Sequence, residues 1–345
     1  MIHDALKTEK FFRMIPRKRK HKTEYGRVHF FRKAASRLLL LMLTATLTAT
    51  LFSCTAKKEQ QRVVIGYQFG TAYAPLELMK ARGMLEENMP GVTVEWRQLG
   101  GPTPIREGML NGEITFGFMG VCPVLIGMDN GMPWKYACAL SANEVAVITR
   151  SDSVQSLKDL NENDRIAILS PGCTQHVLLS LLAKEQLGDA SALDAQLVSM
   201  THPDAVNALL SGTEISVHVT TPPYIQKELS HGMHRMADGT DIMGEPFTFI
   251  CSVAMEETYE NNRETYDLFY ETLAEAIDEI NRNTEAVSAE LAPVYGISPE
   301  ALYEQMTYNG TIYSTELQGI EAMRDAMLSC GFLRNAIPTE DLVFE

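Results

Sequence analysis

The segment 171–176 (PGCTQH) combines a turn, a helix start and side chains that can bind a small molecule. Gly172 permits the turn, and Thr174 and Gln175 place a hydroxyl and an amide at the start of the predicted helix. A helix N-terminus leaves backbone N–H groups unpaired and carries the positive end of the helix dipole. It therefore binds a carboxylate, a sulfonate or a polar acceptor without a charged side chain. We predict ligand contact here, with a simple N-cap role for Thr174 as the alternative.

Cys173 in the same segment has two interpretations. It is either a further ligand contact or a nucleophile, since a thiol at a helix N-terminus is acidified. His176 is the one neighbouring base evident in the sequence. The chain has no GxSxG, P-loop, GxGxxG or HExxH motif. We therefore predict no catalytic residues and a protein that is not an enzyme.

A second set of candidate residues follows the first predicted strand. Gln68 offers donors and acceptors, and Phe69 and Tyr73 offer flat apolar faces. Such a combination binds a small, neutral or partly aromatic molecule. The alternative is that the two rings only pack the core of their lobe.

Four further candidates lie at predicted strand ends. Gly120 permits close backbone approach, Ser141 can donate or accept at a crossover, and His218 and Tyr224 flank Pro222-Pro223. The alternative for Gly120 is a plain strand–helix turn, and the alternative for Ser141 is a turn cap. The alternative for His218 is a core histidine whose hydrogen bonds are satisfied within the protein. His202, His231 and His234 show no metal-ligand spacing, so we expect no metal and no cofactor.

Alternating strand and helix patterns must position these residues. They predict an α/β protein with two lobes, each a mainly parallel sheet flanked by helices, and a helical C-terminal segment over 256–331. The segments LNGEI at 110–114 and LSGTEI at 210–215 each join a helix to a strand through Gly and an acidic residue. We interpret this repeated pattern as evidence for two similar lobes whose strand ends meet at one cleft. A chance recurrence of a common α/β join is the alternative.

Residues 1–53 read as a lipoprotein-type signal peptide. Basic residues precede an apolar run over 38–52, which is short for a spanning helix and ends at Ser53-Cys54. LFSC resembles a lipobox, which implies that the Cys54 thiol is diacylated and anchors the protein to a membrane. A single-span anchor is the alternative. Residues 54–61 would form a tether.

The rest of the chain is strongly acidic. Residues 1–53 hold 12 Lys and Arg and 3 Asp and Glu, so 18 basic and 41 acidic residues remain. This balance argues against binding to nucleic acid or electrostatic attraction to an anionic membrane. Beyond Cys54 there are five cysteines, an odd number without a CxxC pair, which argues against a disulfide framework or a zinc site.

The order of several short motifs resembles type II periplasmic substrate-binding proteins of ABC importers, in the nitrate/sulfonate/taurine group. The resemblance covers about residues 62–335 and rests on four segments. These are IGYQ with YAPLELMKARGMLEE, LNGEITFGFMG, SLKDLNENDRIAILSPGC and HVTTPPY. Thr115 departs from the Asp frequent in that family, and a Lys or Arg beside the expected site is missing.

The resemblance implies a periplasmic-binding-protein type II fold and a solute receptor. Lobe 1 would comprise 62–150 plus 245–335 and lobe 2 would comprise 151–244, with hinges near Arg150 and Gly244. The implied partners are a small solute, an ABC permease with its ATPase, and the membrane through the N-terminal lipid. The protein would be a monomer in the cell envelope, facing the periplasm or exterior.

Two other functions stay open on this fold. One is an enzyme resembling thiamine-pyrimidine precursor synthases or menaquinone-pathway enzymes. Those enzymes are cytoplasmic, so the predicted signal peptide and Cys54 argue against this alternative. The other is a sensory receptor subunit. The aromatic and amide groups without a cation favour a neutral or ring-containing solute over nitrate or sulfate, although helix N-termini alone can bind anions.

Overall fold

The computed structural model describes residues 61–344. The predicted signal peptide and Cys54 lie outside this range. Residues 61–344 contain eleven strands, whose bounds are β1 Arg62–Tyr67, β2 Thr93–Gln98, β3 Phe116–Gly120, β4 Trp134–Ala142, β5 Ala146–Thr149, β6 Ile166–Ile168, β7 Leu197–Ser199, β8 Val217–Thr220, β9 His234–Asp238, β10 Ile250–Met255 and β11 Ile312–Tyr313.

Helices separate most of these strands and form the C-terminal part. Their bounds are α1 Ala74–Arg82, α2 Met84–Asn88, α3 Pro102–Leu110, α4 Val121–Asp129, α5 Thr174–Leu187, α6 His202–Ser211, α7 Tyr224–Ser230, α8 Gly239–Met243, α9 Glu256–Asn261, α10 Arg263–Arg282, α11 Thr284–Tyr295, α12 Pro299–Met306 and α13 Ile320–Ser329. No helix within 61–344 has the length and apolar character needed to cross a bilayer. The predicted α/β class and helical C-terminal segment are confirmed.

The strands form two sheets. The first sheet has the order β11-β4-β10-β3-β1-β2, and the second has the order β7-β6-β8-β5-β9. Strands β1, β2 and β3 are parallel, as are β6, β7 and β8. The remaining neighbours are antiparallel.

Both sheets are mixed, but most strands of each sheet point one way, because β4 runs in the same direction as β1 to β3 and β9 in the same direction as β6 to β8. The predicted two mainly parallel sheets are confirmed. The reversed strands are β10 and the two-residue β11 in the first sheet and β5 in the second. Strands β5 and β10 each follow a place where the chain passes between the sheets. Sequence alternation identifies the βαβ units but does not show that these two strands run against them.

The first crossing lies earlier than predicted. Strand β5 belongs to the second sheet, so the chain leaves the first sheet between Ala142 and Ala146 and not near Arg150. It returns between Asp238 and Ile250, the interval that contains Gly244. Only three residues separate β4 from β5, and the pattern of these two largely buried strands alone does not show which sheet each one joins.

Helix α10 covers the first sheet with one apolar face. Its buried residues recur at helical spacing, whereas Glu271, Glu275 and Asp278 face solvent. Phe269 of this face stacks on Phe116 of β3, with ring centroids 4.0 Å apart and planes 12° apart. Both rings are fully buried. This stack joins the C-terminal helices to the strand that leads into the pocket described below.

Removing the Phe269 ring should destabilise the protein strongly. Phe269→Ala leaves a cavity against Phe116, and we expect a loss of about 3–5 kcal/mol in the free energy of unfolding. Urea denaturation measures the loss. As a control, Leu110→Ala alters a side chain that is 54% exposed, and a change within about 0.5 kcal/mol is expected. Similar losses in the two variants would contradict this assignment of the core.

Candidate ligand-binding site

A pocket lies at the carboxyl ends of the parallel strands of both sheets. The first sheet contributes the residues that follow β1, β2 and β3, and the second contributes those that follow β6, β7 and β8. Open α/β sheets bind ligands at such strand ends. The lining residues are Gln68, Phe69, Gly70, Ala72, Tyr73, Gly100, Pro102, Gly120, Pro123, Leu169, Cys173, Thr174, Gln175, His202, Thr221, Phe249 and Ile250.

Five helices begin at this pocket. The lining includes Tyr73 just before α1, Pro102 at the start of α3, Gly120 just before α4, Thr174 at the start of α5 and His202 at the start of α6. Each helix directs the positive end of its dipole toward the same space. Among the described lining residues there is no Lys or Arg. Backbone dipoles and neutral side chains therefore make this pocket favourable for an acceptor or anionic group.

The pocket is narrow because the two halves touch. Only about 20 Å³ is accessible to the centre of a water molecule, which is room for one or two waters. A Cβ atom on Gly120 would lie 2.5 Å from Thr174 Oγ1, and one on Gly100 would lie 3.1 Å from Thr201 Cγ2. The cavity in this arrangement holds no more than one or two water molecules.

Seven of the predicted site residues line the pocket. They are Gln68, Phe69, Tyr73, Gly120, Cys173, Thr174 and Gln175. The Gln68 side chain is 5% exposed and makes no hydrogen bond to another residue within 61–344. The Thr174 hydroxyl is buried next to the Cys122 thiol, a weak acceptor, and otherwise has no hydrogen-bond partner in the described part of the chain.

Four predicted residues lie outside the lining. Ser141 is buried in β4 beside Ile250 of β10. Gly172, with a φ of 76°, forms the turn before α5, and its N–H donates to His176 Nδ1 at 3.0 Å. His218 and Tyr224 both contact His202, so they lie one layer behind the pocket wall.

The pattern at 171–176 predicts the turn, but it does not support a nucleophile. Cys173 is buried, and this burial raises the pKa of its thiol against the opposing effect of backbone N–H groups. The thiolate that nucleophilic attack needs is therefore disfavoured.

Several lining residues escaped the sequence analysis. Gly100, Gly101 and Pro102 form a helix start, and a Pro at the first helical position after glycines is a signal that could have identified it. His202 also begins a helix, after the Thr201 cap. Phe249 and Ile250 carry no local signal, because they reach the pocket through the antiparallel strand β10.

Four side chains form a buried hydrogen-bonded chain that runs from the pocket lining into the second lobe's interior. Gln175 Nε2 lies 3.2 Å from His202 Nε2, and His202 Nδ1 lies 2.9 Å from His218 Nε2. His218 Nδ1 lies 2.6 Å from Glu228 Oε1. The Tyr224 ring stacks on His202, with centroids 5.1 Å apart. Burial lowers the pKa of both imidazoles and raises the pKa of the Glu228 carboxyl.

Comparison with protein-family models gives one match. The model of the NMT1-like family matches residues 56–294, which is more than half of the chain. The chain belongs to the NMT1-like family. A search of curated protein sequences found no significant match.

Solved structures show which fold this NMT1-like chain adopts. The alkanesulfonate-binding protein SsuA from Xanthomonas axonopodis pv. citri, bound to MOPS, has a TM-score of 0.69 at 19% identity, covering 82% of this chain and 98% of SsuA. The nitrate-binding protein NrtA from Synechocystis PCC 6803 has a TM-score of 0.66 at 12% identity, covering 82% and 84%. The predicted resemblance to type II substrate-binding proteins is confirmed at the level of family and fold.

A third neighbour shows how widely this fold occurs. It is the Candida albicans CA3427 gene product, described as having the generic periplasmic binding protein fold, with a TM-score of 0.66 at 13% identity, covering 82% of this chain and 96% of its own.

Within residues 61–344 of the NMT1-like chain, no group of three or more His, Cys, Asp or Glu is arranged to hold a metal ion.

The buried histidines should make stability fall in mild acid. Burial lowers the pKa of His176, His202 and His218, so the unfolded chain binds protons below about pH 6.5 that the folded chain does not. In His176→Asn, the amide oxygen can still accept the Gly172 N–H while one titrating ring is removed. We expect the slope of unfolding free energy against pH to decrease by up to about 1.4 kcal/mol per pH unit. Urea unfolding at several pH values measures it, and equal slopes would contradict the prediction.

Proposed function

We propose that this protein is an extracytoplasmic solute-binding lipoprotein of an ABC importer. The observation that carries the proposal is the pocket at which five helices of one binding-protein fold begin, lined from both sheets and without a basic side chain. In this proposal the protein acts as a monomer. It delivers its solute to a permease whose ATPase supplies the energy.

The proposed ligand is a small organic molecule with an acidic or acceptor group. Thr174, Gln175 and the first turns of the helices would hold that group, because they supply hydroxyl, amide and backbone donors. Phe69, Tyr73 and Phe249 supply flat apolar surface for the rest of the molecule. An organic sulfonate fits this description, and SsuA of the same fold is an alkanesulfonate-binding protein.

Binding is proposed to proceed by hinge closure. The two lobes would be the two sheets with their helices, hinged at 142–146 and 238–250. An open form admits the ligand, and the closed form contacts it from both lobes. The small cavity of this structure supports hinge closure, because its volume of about 20 Å³ would have to increase before an organic molecule could enter.

The described pocket residues give little support to the alternative that this protein is an enzyme. Among the described residues that line the pocket, the candidate nucleophile is Cys173, and burial raises the pKa of that thiol. SsuA and NrtA of the same fold are binding proteins, which favours binding over turnover.

A thermal-shift screen with native mass spectrometry tests the function. The purified protein is screened against sulfonates, pyrimidines, flavins and amines, and an organic sulfonate is expected to raise the melting temperature. If no small molecule stabilises the protein and turnover of some compound is observed, the solute-binding function is wrong.

Removing the Thr174 hydroxyl should weaken binding of the ligand that the screen identifies. Thr174→Val deletes a donor at the pocket wall, and we expect a loss of about 1–2 kcal/mol, or roughly tenfold in Kd, by calorimetry. The matched control is Thr272→Val, which removes a buried hydroxyl bonded to the Leu268 carbonyl within α10. Its Kd should not change. Equal Kd values for Thr174→Val and the unaltered protein would remove Thr174 from the site.

Acylation at Cys54 is tested separately. Cells expressing the protein are labelled with a fatty-acid analogue, and the mature protein is expected to carry the label. Cys54→Ser removes the thiol that would be acylated, so the label and the processed form should both disappear. Persistence of the label in this variant would contradict the predicted anchor.

A further inference from the structure

The buried chain behind the pocket wall connects a carboxyl group to the ligand side of the site. We call it the Glu228 relay, consisting of Gln175, His202, His218 and Glu228. Glu228 and His218 are 0% and 1% exposed, whereas Gln175 and His202 line the pocket. The three contacts of 3.2, 2.9 and 2.6 Å join one end to the other without a gap.

The direction of these hydrogen bonds depends on the number of protons in the relay. A neutral imidazole has one donor and one acceptor nitrogen. When Glu228 is ionised, it must accept from His218 Nδ1, so His202 Nδ1 donates to His218 Nε2. His202 Nε2 is then an acceptor, and Gln175 must turn its Nε2 toward it. Gln175 Oε1 is left facing the pocket as an acceptor.

One added proton reverses every bond. Protonated Glu228 donates to His218 Nδ1, His218 Nε2 donates to His202 Nδ1, and His202 Nε2 becomes a donor. Gln175 must then turn Oε1 toward His202, which leaves its N–H groups facing the pocket. A half-turn of the amide exchanges the two arrangements. The same amide thus presents an acceptor or a donor to the ligand.

Both arrangements are supported by features of the structure. The 3.2 Å contact of the Gln175 amide with His202 Nε2 suits an amide N–H donor when Glu228 is ionised and, after the half-turn, an amide oxygen acceptor when Glu228 is protonated. Burial, however, raises the pKa of Glu228 and lowers the pKa of His218, which favours an uncharged pair with the proton on the carboxyl. Glu228 Oε2 also has no hydrogen-bond partner within 61–344, which disfavours the ionised form.

Few other charges face the relay. Strands β5 and β6 carry no titratable residue, and Lys227 on α7 exerts the one charge effect on the Glu228 pKa, a lowering. The titratable residues on the other elements packed here are His176, Lys184 and Glu185 on α5, Asp204 on α6, Tyr224 on α7, and His234, Arg235 and Asp238 on β9. Several have partners elsewhere: Asp194 for His176, the Ser329 carbonyl for Lys184, Thr201 for Asp204, and Glu144 with Asp238 for Arg235.

We propose that the Glu228 relay is a proton-linked switch that sets the hydrogen-bonding character of the pocket. Uptake of one proton at Glu228 turns the Gln175 N–H groups toward the ligand. An acidic or acceptor group on the ligand selects this arrangement, so its binding is accompanied by proton uptake. Proton uptake thereby removes the negative charge of Glu228 and presents N–H donors in a site whose described lining has no basic side chain.

The first experiment needs no ligand. Nitrogen NMR spectra of the histidine rings are recorded on the full-length chain in detergent, across the neutral and mildly alkaline range. As pH rises, His202 and His218 should change together from the Nε2–H to the Nδ1–H tautomer, with one shared midpoint. Glu228→Gln keeps the shape and hydrogen-bonding capacity of the side chain but removes the proton, so the change should be lost.

A matched control separates the relay from burial of a carboxyl in general. Glu77 is 5% exposed and accepts a hydrogen bond from the Tyr67 hydroxyl, and Glu77→Gln should keep the wild-type transition. The proposal is overturned if the two rings hold fixed tautomers in the wild type. It is also overturned if Glu228→Gln retains the transition.

The second experiment measures the link to binding and rests on the proposed function. Ethanesulfonate is titrated in buffers of different ionisation enthalpy, and uptake of up to one proton per ligand is expected. At pH values above the midpoint of the tautomer transition, each decrease of one pH unit should raise the affinity for ethanesulfonate by up to about tenfold. This pH dependence should vanish in Glu228→Gln. Binding without proton uptake would overturn the ligand coupling. A tautomer transition without ethanesulfonate binding would support the relay and contradict only the sulfonate ligand.

Discussion

The constraint on which this structure depends is the shared direction of helices that follow the parallel strands. Because β1 to β3 and β6 to β8 each end at one edge of their sheet, the helices that follow begin at a common space. Their dipoles add there, and like partial charges repel unless something negative or electron-rich is placed between them. The space at the helix starts is thus electrostatically suited to an acceptor or anionic group. The neutral lining is a consequence, since further basic charge would add to this repulsion.

The same constraint explains how much of the site was predictable. Local signals predicted the elements that carry Gln68, Gly120 and the segment 171–176, because a strand pattern followed by Gly and a helix pattern is written in consecutive residues. Those residues do line the pocket or shape its wall. Helices and strands with strong periodicity, such as α5 and α10, were located correctly for the same reason.

The remaining features depend on packing between distant segments. His202, His218 and Glu228 have unremarkable neighbours in sequence, and only the pairing of β8 with β5 and β6 and the packing of α7 against α6 bring them together. His218 was predicted as a direct contact because its strand ends at the cleft, but His202 lies between it and the pocket. The reversed direction of β5 and β10 has no local signal either, since strand direction is a property of the tertiary structure.

The two crossings between the sheets have a mechanical consequence. On the first sheet they are held side by side by the pairing of Ser141 with Ile250, and on the second by the pairing of Ala146 with Asp238. Two adjacent chains clamped in this way resist twisting and sliding but yield to bending about the line through them. In the proposed hinge closure, these two links would bend together and leave the lobes one main direction of movement. A small change of angle at these short links would then produce a larger displacement at the far rim of the lobes, where the proposed permease would meet a changed spacing between them.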